Sequence, residues 1–204
     1  MLFALWKGIV LGLSIAAPVG PIGILCIRRT VALSRLHGFL SGLGAATADA
    51  LYGFAAGFGL TLIMNMLLEQ KLWLQAIGGL FLCYLGVRTF LSNPASDPAN
   101  AAGDTLLGSY FSTFLLTIAN PMTVLSFLGI FAGIGIGSAG ENINSAIALV
   151  VGVFLGSALW WFALCFTVGL FRERLNVPAL KWINRISGSI VVLFGVVSFI
   201  GLLR

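Results

Sequence analysis

The sequence predicts an all-α polytopic membrane protein: six transmembrane helices arranged as two inverted three-helix repeats, with helices 1 and 4 broken. Three observations carry that prediction. Charged residues make up 8% and hydrophobic residues 59% of the 204 residues, with a mean hydropathy of +1.08, whereas a soluble domain is about one quarter charged. The apolar residues gather into long runs separated by short polar turns. Positions in the first half recur in the second at near-constant offset. A soluble fold of this size could not hide so much apolar surface, because most residues of a small domain lie near its exterior. In lipid the outward faces can be apolar too, and the 26 glycines suit membrane helices that approach closely.

The first run covers 2–27. A signal peptide ending in Ser14-Ile15-Ala16-Ala17 is the competing reading, but the apolar character continues past Pro18 and Pro21 to Cys26, which favours a retained first span. Arg28, Arg29, Arg35 and His37 mark the next turn. The second run, from 38 to about 68, exceeds the ~20 residues a spanning helix needs, and Glu69, Gln70 and Lys71 close it. The third covers 72–87 and extends through Arg88 to Leu91 when the arginine snorkels toward headgroups. Residues 93–105, rich in Pro and Asx, read as a surface loop between two halves of one transmembrane domain. The chain thus divides into repeat 1–91, a cytoplasmic loop 92–105 and repeat 106–204. The fourth run, 106–136, is interrupted at Asn120-Pro121. The fifth covers 145–171, a turn containing Pro178 follows, and the sixth covers 182–203.

Basic residues set the orientation. Eight of the eleven Lys and Arg (Arg28, Arg29, Arg35, Arg88, Arg172, Arg174, Lys181 and Arg185) border alternate turns, and three (Lys7, Lys71 and Arg204) border the others. The excess of Lys and Arg in cytoplasmic turns then puts the eight inside and both termini outside. These residues do not form a nucleic-acid footprint, since aromatic-basic interleaving and zinc-finger spacing are absent from the sequence.

The halves match in detail. Pro21-Ile-Gly-Ile-Leu pairs with Pro121-Met-Thr-Val-Leu, Gly42 and Ala46 with Gly152 and Gly156, and Phe58-Gly59-Leu60 with Val168-Gly169-Leu170. Trp73, Gly79, Gly86 and Phe90 pair with Trp182, Gly188, Gly195 and Phe199 at one offset of 109. Three spans per repeat is an odd number, so the second copy enters the membrane upside down, the usual construction of secondary transporters.

Candidate functional residues follow from what lipid forbids. Proline lacks an N–H and clashes with the preceding turn, so helical bonding lapses around Pro18, Gly20 and Pro21. Freed carbonyls in a membrane need protein, water or ligand, which makes this break a candidate substrate-binding backbone; a structural kink is the alternative. Asn120-Pro121 repeats the arrangement, with Thr117 one turn earlier. Asn120 offers both donor and acceptor, or else caps the broken helix. Asp49 lies eleven residues past Gly38, near mid-depth at about 1.5 Å per residue. A carboxylate there must face the bundle interior or an aqueous cavity and suits proton coupling or a substrate amine. Tyr52 shares nearly the same face. Trp160 and Trp161 stand where the second half matches the Asp49 neighbourhood and could wall a cavity.

Cys26, Cys83 and Cys165 are far apart and read as packing residues, so neither a metal nor any other cofactor is expected. The sequence lacks a GxxxxGK[ST] phosphate loop and the HExxH or triad-like groupings of membrane hydrolases, which argues against ATP hydrolysis and enzymatic chemistry in this chain. A channel is the alternative to a carrier, but no filter-like repeat of polar or carbonyl-rich residues stands out.

With those residues in view, the sequence resembles the LysE/RhtB family of amino-acid exporters over nearly its whole length. The resemblance rests on Ala17-Pro-Val-Gly-Pro21, the following Ile24-Leu-Cys-Ile-Arg-Arg-Thr30, Gly38, the segment Ser41 to Gly53 that holds Asp49, and Asn120-Pro121. It implies a small bacterial inner-membrane exporter, driven by the proton gradient, that removes amino acids or related compounds; its partners are substrate, protons and lipid, and a homodimer is compatible with its size. Two departures stand out. Val19 separates a proline and glycine that adjoin in many members, and Met122 replaces a lysine that often follows the Asn-Pro pair. Lysine export is therefore not carried over.

Overall fold

The computed structural model describes residues 1–18, 20–57, 71–91, 105–120, 123, 126–127, 143–171 and 177–200. Among them are seven α-helices and no strand: α1 (Leu2–Ala16), α2 (Pro21–Ala32), α3 (Arg35–Gly57), α4 (Lys71–Leu91), α5 (Leu106–Ile118), α6 (Ile143–Phe171) and α7 (Val177–Ile200).

The expected break in the first run falls between α1 and α2, whose axes are inclined by 81°. α1 closes with the Ala17 N–H on the Leu13 carbonyl at 2.9 Å. Gly20 is extended and Pro21 opens α2, a position where the missing N–H costs nothing. Restarting there carries α2 to Ala32, so Arg28 and Arg29 lie within a helix and not in the turn expected from the sequence. α3 begins three residues before the expected Gly38, because Ser34 Oγ accepts the His37 N–H at 3.3 Å and caps the helix. α7 likewise starts at Val177 and not 182, since Pro178 sits in its first turn, where proline is tolerated. α5 is capped by Thr105 and ends at Ile118, just before Asn120-Pro121. The remainder of the second run (58–70), the loop 92–104 and most of 121–142 lie outside the described residues.

α6 explains how the bundle meets its surroundings. Its buried stripe, Leu149, Gly152, Val153, Gly156, Ser157, Trp161 and Cys165, recurs every three to four residues. The opposite face, Ile147, Val151, Leu155, Leu159, Phe162, Phe166 and Leu170, is just as apolar and is exposed. A helix that is hydrophobic all round belongs in a core or a membrane, and this one is exposed. α6 is by itself long and apolar enough to cross a membrane, and α1 with α2 qualifies if the bent pair counts as one span.

Two close helix crossings hold the bundle. α1 packs on α6 through Gly8 and Gly12 against Gly152 and Gly156: a Cβ at Gly12 would collide with the Val153 carbonyl, and one at Gly156 with the Ile9 carbonyl. Small residues four apart on both helices permit that approach. α4 packs on α7, where a Cβ on Gly86 would lie 2.9 Å from the Gly188 oxygen, and one on Gly195 2.9 Å from the Gly79 oxygen. Between these pairs α3 packs against α2, α5 and α6. Ala16 and Ile22, which flank the first break, share one buried apolar cluster with Ala45, Ala46, Leu116 and Trp161.

Candidate functional site

α3 carries its polar residues inward at helical spacing. Ser41, Asp49 and Tyr52 are all buried, while Leu51 and Phe54 face out. Asp49 is 3% exposed, and its Oδ2 accepts the Ser157 hydroxyl at 2.7 Å across the α3–α6 contact. Ser157 Oγ in turn accepts Trp161 Nε1–H at 3.1 Å, and the Trp161 side chain lies over Gly42 of α3. Tyr52, one turn past Asp49, reaches a different neighbour: its hydroxyl donates at 2.6 Å to the carbonyl of Ile118, the last residue of α5. Its ring packs on Phe127, with centroids 5.4 Å apart.

The second break is thereby tied to α3. Ile118 precedes the turn in which the Asn120 N–H bonds the Thr117 carbonyl at 3.2 Å and the Thr123 N–H bonds the Asn120 carbonyl at 3.1 Å. Asn120 is half-buried. Thr117 is buried and donates its hydroxyl to its own helix, to the Thr113 carbonyl at 2.8 Å, which leaves its lone pairs as its remaining capacity. Pro121 and Met122 lie outside the described residues. At the first break Pro18 is exposed and Gly20 half-buried. The Gly20 N–H bonds the Pro18 carbonyl at 2.9 Å, and a methyl group added at Gly20 would meet nothing within 4 Å, so the backbone there borders open space.

The arginines grouped by sequence as orienting residues separate in space. Arg29 is 3% exposed. Its guanidinium donates to Ser41 Oγ at 2.8 Å, the Ser109 carbonyl at 3.0 Å, Thr113 Oγ1 at 2.9 Å and Ser112 Oγ at 2.7 Å, joining α2 to α3 and α5. Arg28 reaches Asn184 of α7 at 3.4 Å. Arg35 donates to the Gly169 carbonyl at 3.0 Å and lies over the Phe166 ring, so the start of α3 meets the end of α6. Lys181 and Arg185 are exposed on the first turns of α7, while Arg172 and Arg174 lie outside the described residues.

Sequence reasoning missed two partners. Ser157 carried a usable signal, since it is the one hydroxyl near the middle of a 29-residue apolar helix. The nest around Arg29 carried none, because Ser109, Ser112 and Thr113 lie 80 or more residues away in the chain.

Among the described residues, an all-helical bundle with an exposed apolar face and a buried carboxylate has the make-up of a helical membrane protein. Comparison with known proteins narrows this. The family model for LysE type translocators matches residues 13–201, and the chain belongs to that family. It is 31% identical over 92% of its length, and 90% of the relative's, to a Bacillus subtilis protein named "Putative amino acid efflux protein YcgF". It is 27% identical to the threonine efflux protein of Escherichia coli K12, covering 87% of this chain and 88% of that one. A Bacillus subtilis relative at 24% identity, YrhP, is described only as an uncharacterized membrane protein. No solved structure matches. The chain is therefore a membrane transport protein.

Proposed function

We propose that this protein is a secondary exporter that carries an amino acid or a closely related metabolite out of the cytoplasm in exchange for protons. The observation that carries the reading is Asp49: a carboxylate inside the bundle, bonded across to α6, with Tyr52 beside it reaching the end of the second broken helix. Substrate would enter between the two breaks, engaging backbone near Pro18, Gly20 and Pro21 and polar groups of Thr117, Asn120 and Pro121. Asp49 would take up and release the proton. The names of the efflux relatives support an amino-acid substrate.

Two inverted repeats, 1–91 and 106–204, would supply the alternation. The α4–α7 crossing supports this. Under the offset of 109, Gly79 maps to Gly188 and Gly86 to Gly195, so the Gly79–Gly195 and Gly86–Gly188 contacts exchange with one another, as a two-fold axis between halves requires. The α1–α6 and α3–α5 packings are the other pair such an axis would interchange. Arg28 and Arg35, packed against α7 and the end of α6, support a common basic end, which positive-inside bias orients toward the cytoplasm of a bacterial inner membrane.

The test is the full chain reconstituted in liposomes, with labelled L-threonine and a panel of other amino acids as probes. A carrier gives saturable uptake, acceleration by substrate on the far side, and a response to an imposed pH gradient. Flux that neither saturates nor accelerates would indicate a pore. Asp49→Asn should abolish the response to the pH gradient while leaving insertion intact; an unchanged response removes Asp49 from the coupling step.

A further inference from the structure

Hydroxyls buried in an apolar bundle usually satisfy themselves on their own helix. Here Thr30, Ser41, Thr47, Thr113 and Thr117 all donate to the carbonyl four residues back. Ser157 does not. It leaves the Val153 carbonyl and donates across to Asp49 Oδ2 at 2.7 Å. The reason stands one turn further along α6. An indole N–H can only donate, and Trp161 Nε1 sits 3.1 Å from Ser157 Oγ. Trp161 therefore occupies a Ser157 lone pair and turns the single hydroxyl proton toward α3. The chain Trp161 to Ser157 to Asp49 has a direction, and Oδ2 is its acceptor end. Among the described residues Oδ1 accepts no hydrogen bond.

We infer that Ser157, held by Trp161, is the positioning residue that reserves Oδ2 as an acceptor and leaves Oδ1 to receive the proton, an inference that rests on the proton-coupling reading of Asp49. Among the described residues no other ionisable group hydrogen-bonds to Asp49. On α3, Tyr52 is committed to the Ile118 carbonyl. On α5, the Tyr110 hydroxyl bonds Thr47 Oγ1 at 2.8 Å. On α1, Lys7 sits over the Phe3 ring. On α2, the Arg29 guanidinium is spent on Ser41 and α5, and Arg28 on Asn184. Cys165 of α6 is a free thiol two turns past Ser157. Orientation of Asp49 thus falls to the Ser157–Trp161 pair.

Infrared difference spectra of the full chain in liposomes, recorded across pH, test this without any substrate. The protonated-carboxyl band that disappears in Asp49→Asn belongs to Asp49. Ser157→Ala should displace both the frequency of that band and its pH midpoint, the latter by about one pH unit, the equivalent of one hydrogen bond to a charged group. Trp161→Phe should produce a smaller displacement, and Ser157→Thr, which keeps the hydroxyl, should restore the original band. An Asp49 band whose frequency and midpoint are indifferent to Ser157→Ala and Trp161→Phe overturns the inference and leaves the coupling reading standing. Absence of any band lost in Asp49→Asn overturns both.

Discussion

Arg29 and Asp49 are buried to the same degree, each 3% exposed, and are treated oppositely. The arginine fork is wrapped by three hydroxyls and a carbonyl from two neighbouring helices. The carboxylate receives one hydroxyl. Taking a charge from water into a protein costs several kcal/mol unless hydrogen bonds replace the lost hydration. Arg29 has that replacement and can stay charged permanently as a clamp among α2, α3 and α5. Asp49 has little of it, which suits the proton exchange proposed for it. On the proposed reading of Asp49, it is the number of partners, and not burial, that separates the structural charge from the working one.

The comparison is most directly broken by exchanging the expected phenotypes. Asp49→Asn, close in shape, should lose the pH-driven component of transport while its thermal midpoint stays within a few degrees of the parent. Arg29→Leu should do the reverse. Losing the guanidinium strands the buried acceptors it serves, at about 1–3 kcal/mol, which for a chain of this size lowers the midpoint by about 2–12 °C. Arg29→Lys should fall between, because an ammonium cannot reproduce the planar fork. A stable but inactive Arg29→Leu variant would move Arg29 from the clamp to the transport path. Tyr52→Phe removes the donor to the Ile118 carbonyl and should cost about 1 kcal/mol, seen as a midpoint lower by about 2–4 °C. Gly20→Ala should be the mildest for stability, because the added methyl enters open space at a φ of −100° that alanine tolerates. Reduced uptake by that variant at unchanged stability would mark the space as substrate volume, and normal uptake would remove Gly20 from the path.

Local chemistry made much of this legible in advance. Pro18, Pro21 and the Asn120-Pro121 pair announce lapses in helical bonding, and the first lapse appears between α1 and α2. The mid-run position of Asp49 announced its burial. Helix ends were less legible. Ser34 moved the start of α3 outward, and Pro178, read as a turn residue, proved to sit inside the first turn of α7. Caps and first-turn prolines act through a few hydrogen bonds that hydropathy does not register. Arg28 and Arg29 were misplaced for a related reason: a charge pair at the end of an apolar run looks like a turn unless the restart at Pro21 is counted.

The sequence by itself determined that the chain needs an apolar solvent, where its helices cannot continue, and which acid is surrounded by apolar residues, since each depends on neighbours within a turn or two. Only the tertiary structure decided that Asp49 meets Ser157, 108 residues away, and that Arg29 is enclosed by hydroxyls. Such partners are selected by how the glycine-lined crossings let the helices rotate and approach, a property of the assembled bundle that no single helix encodes.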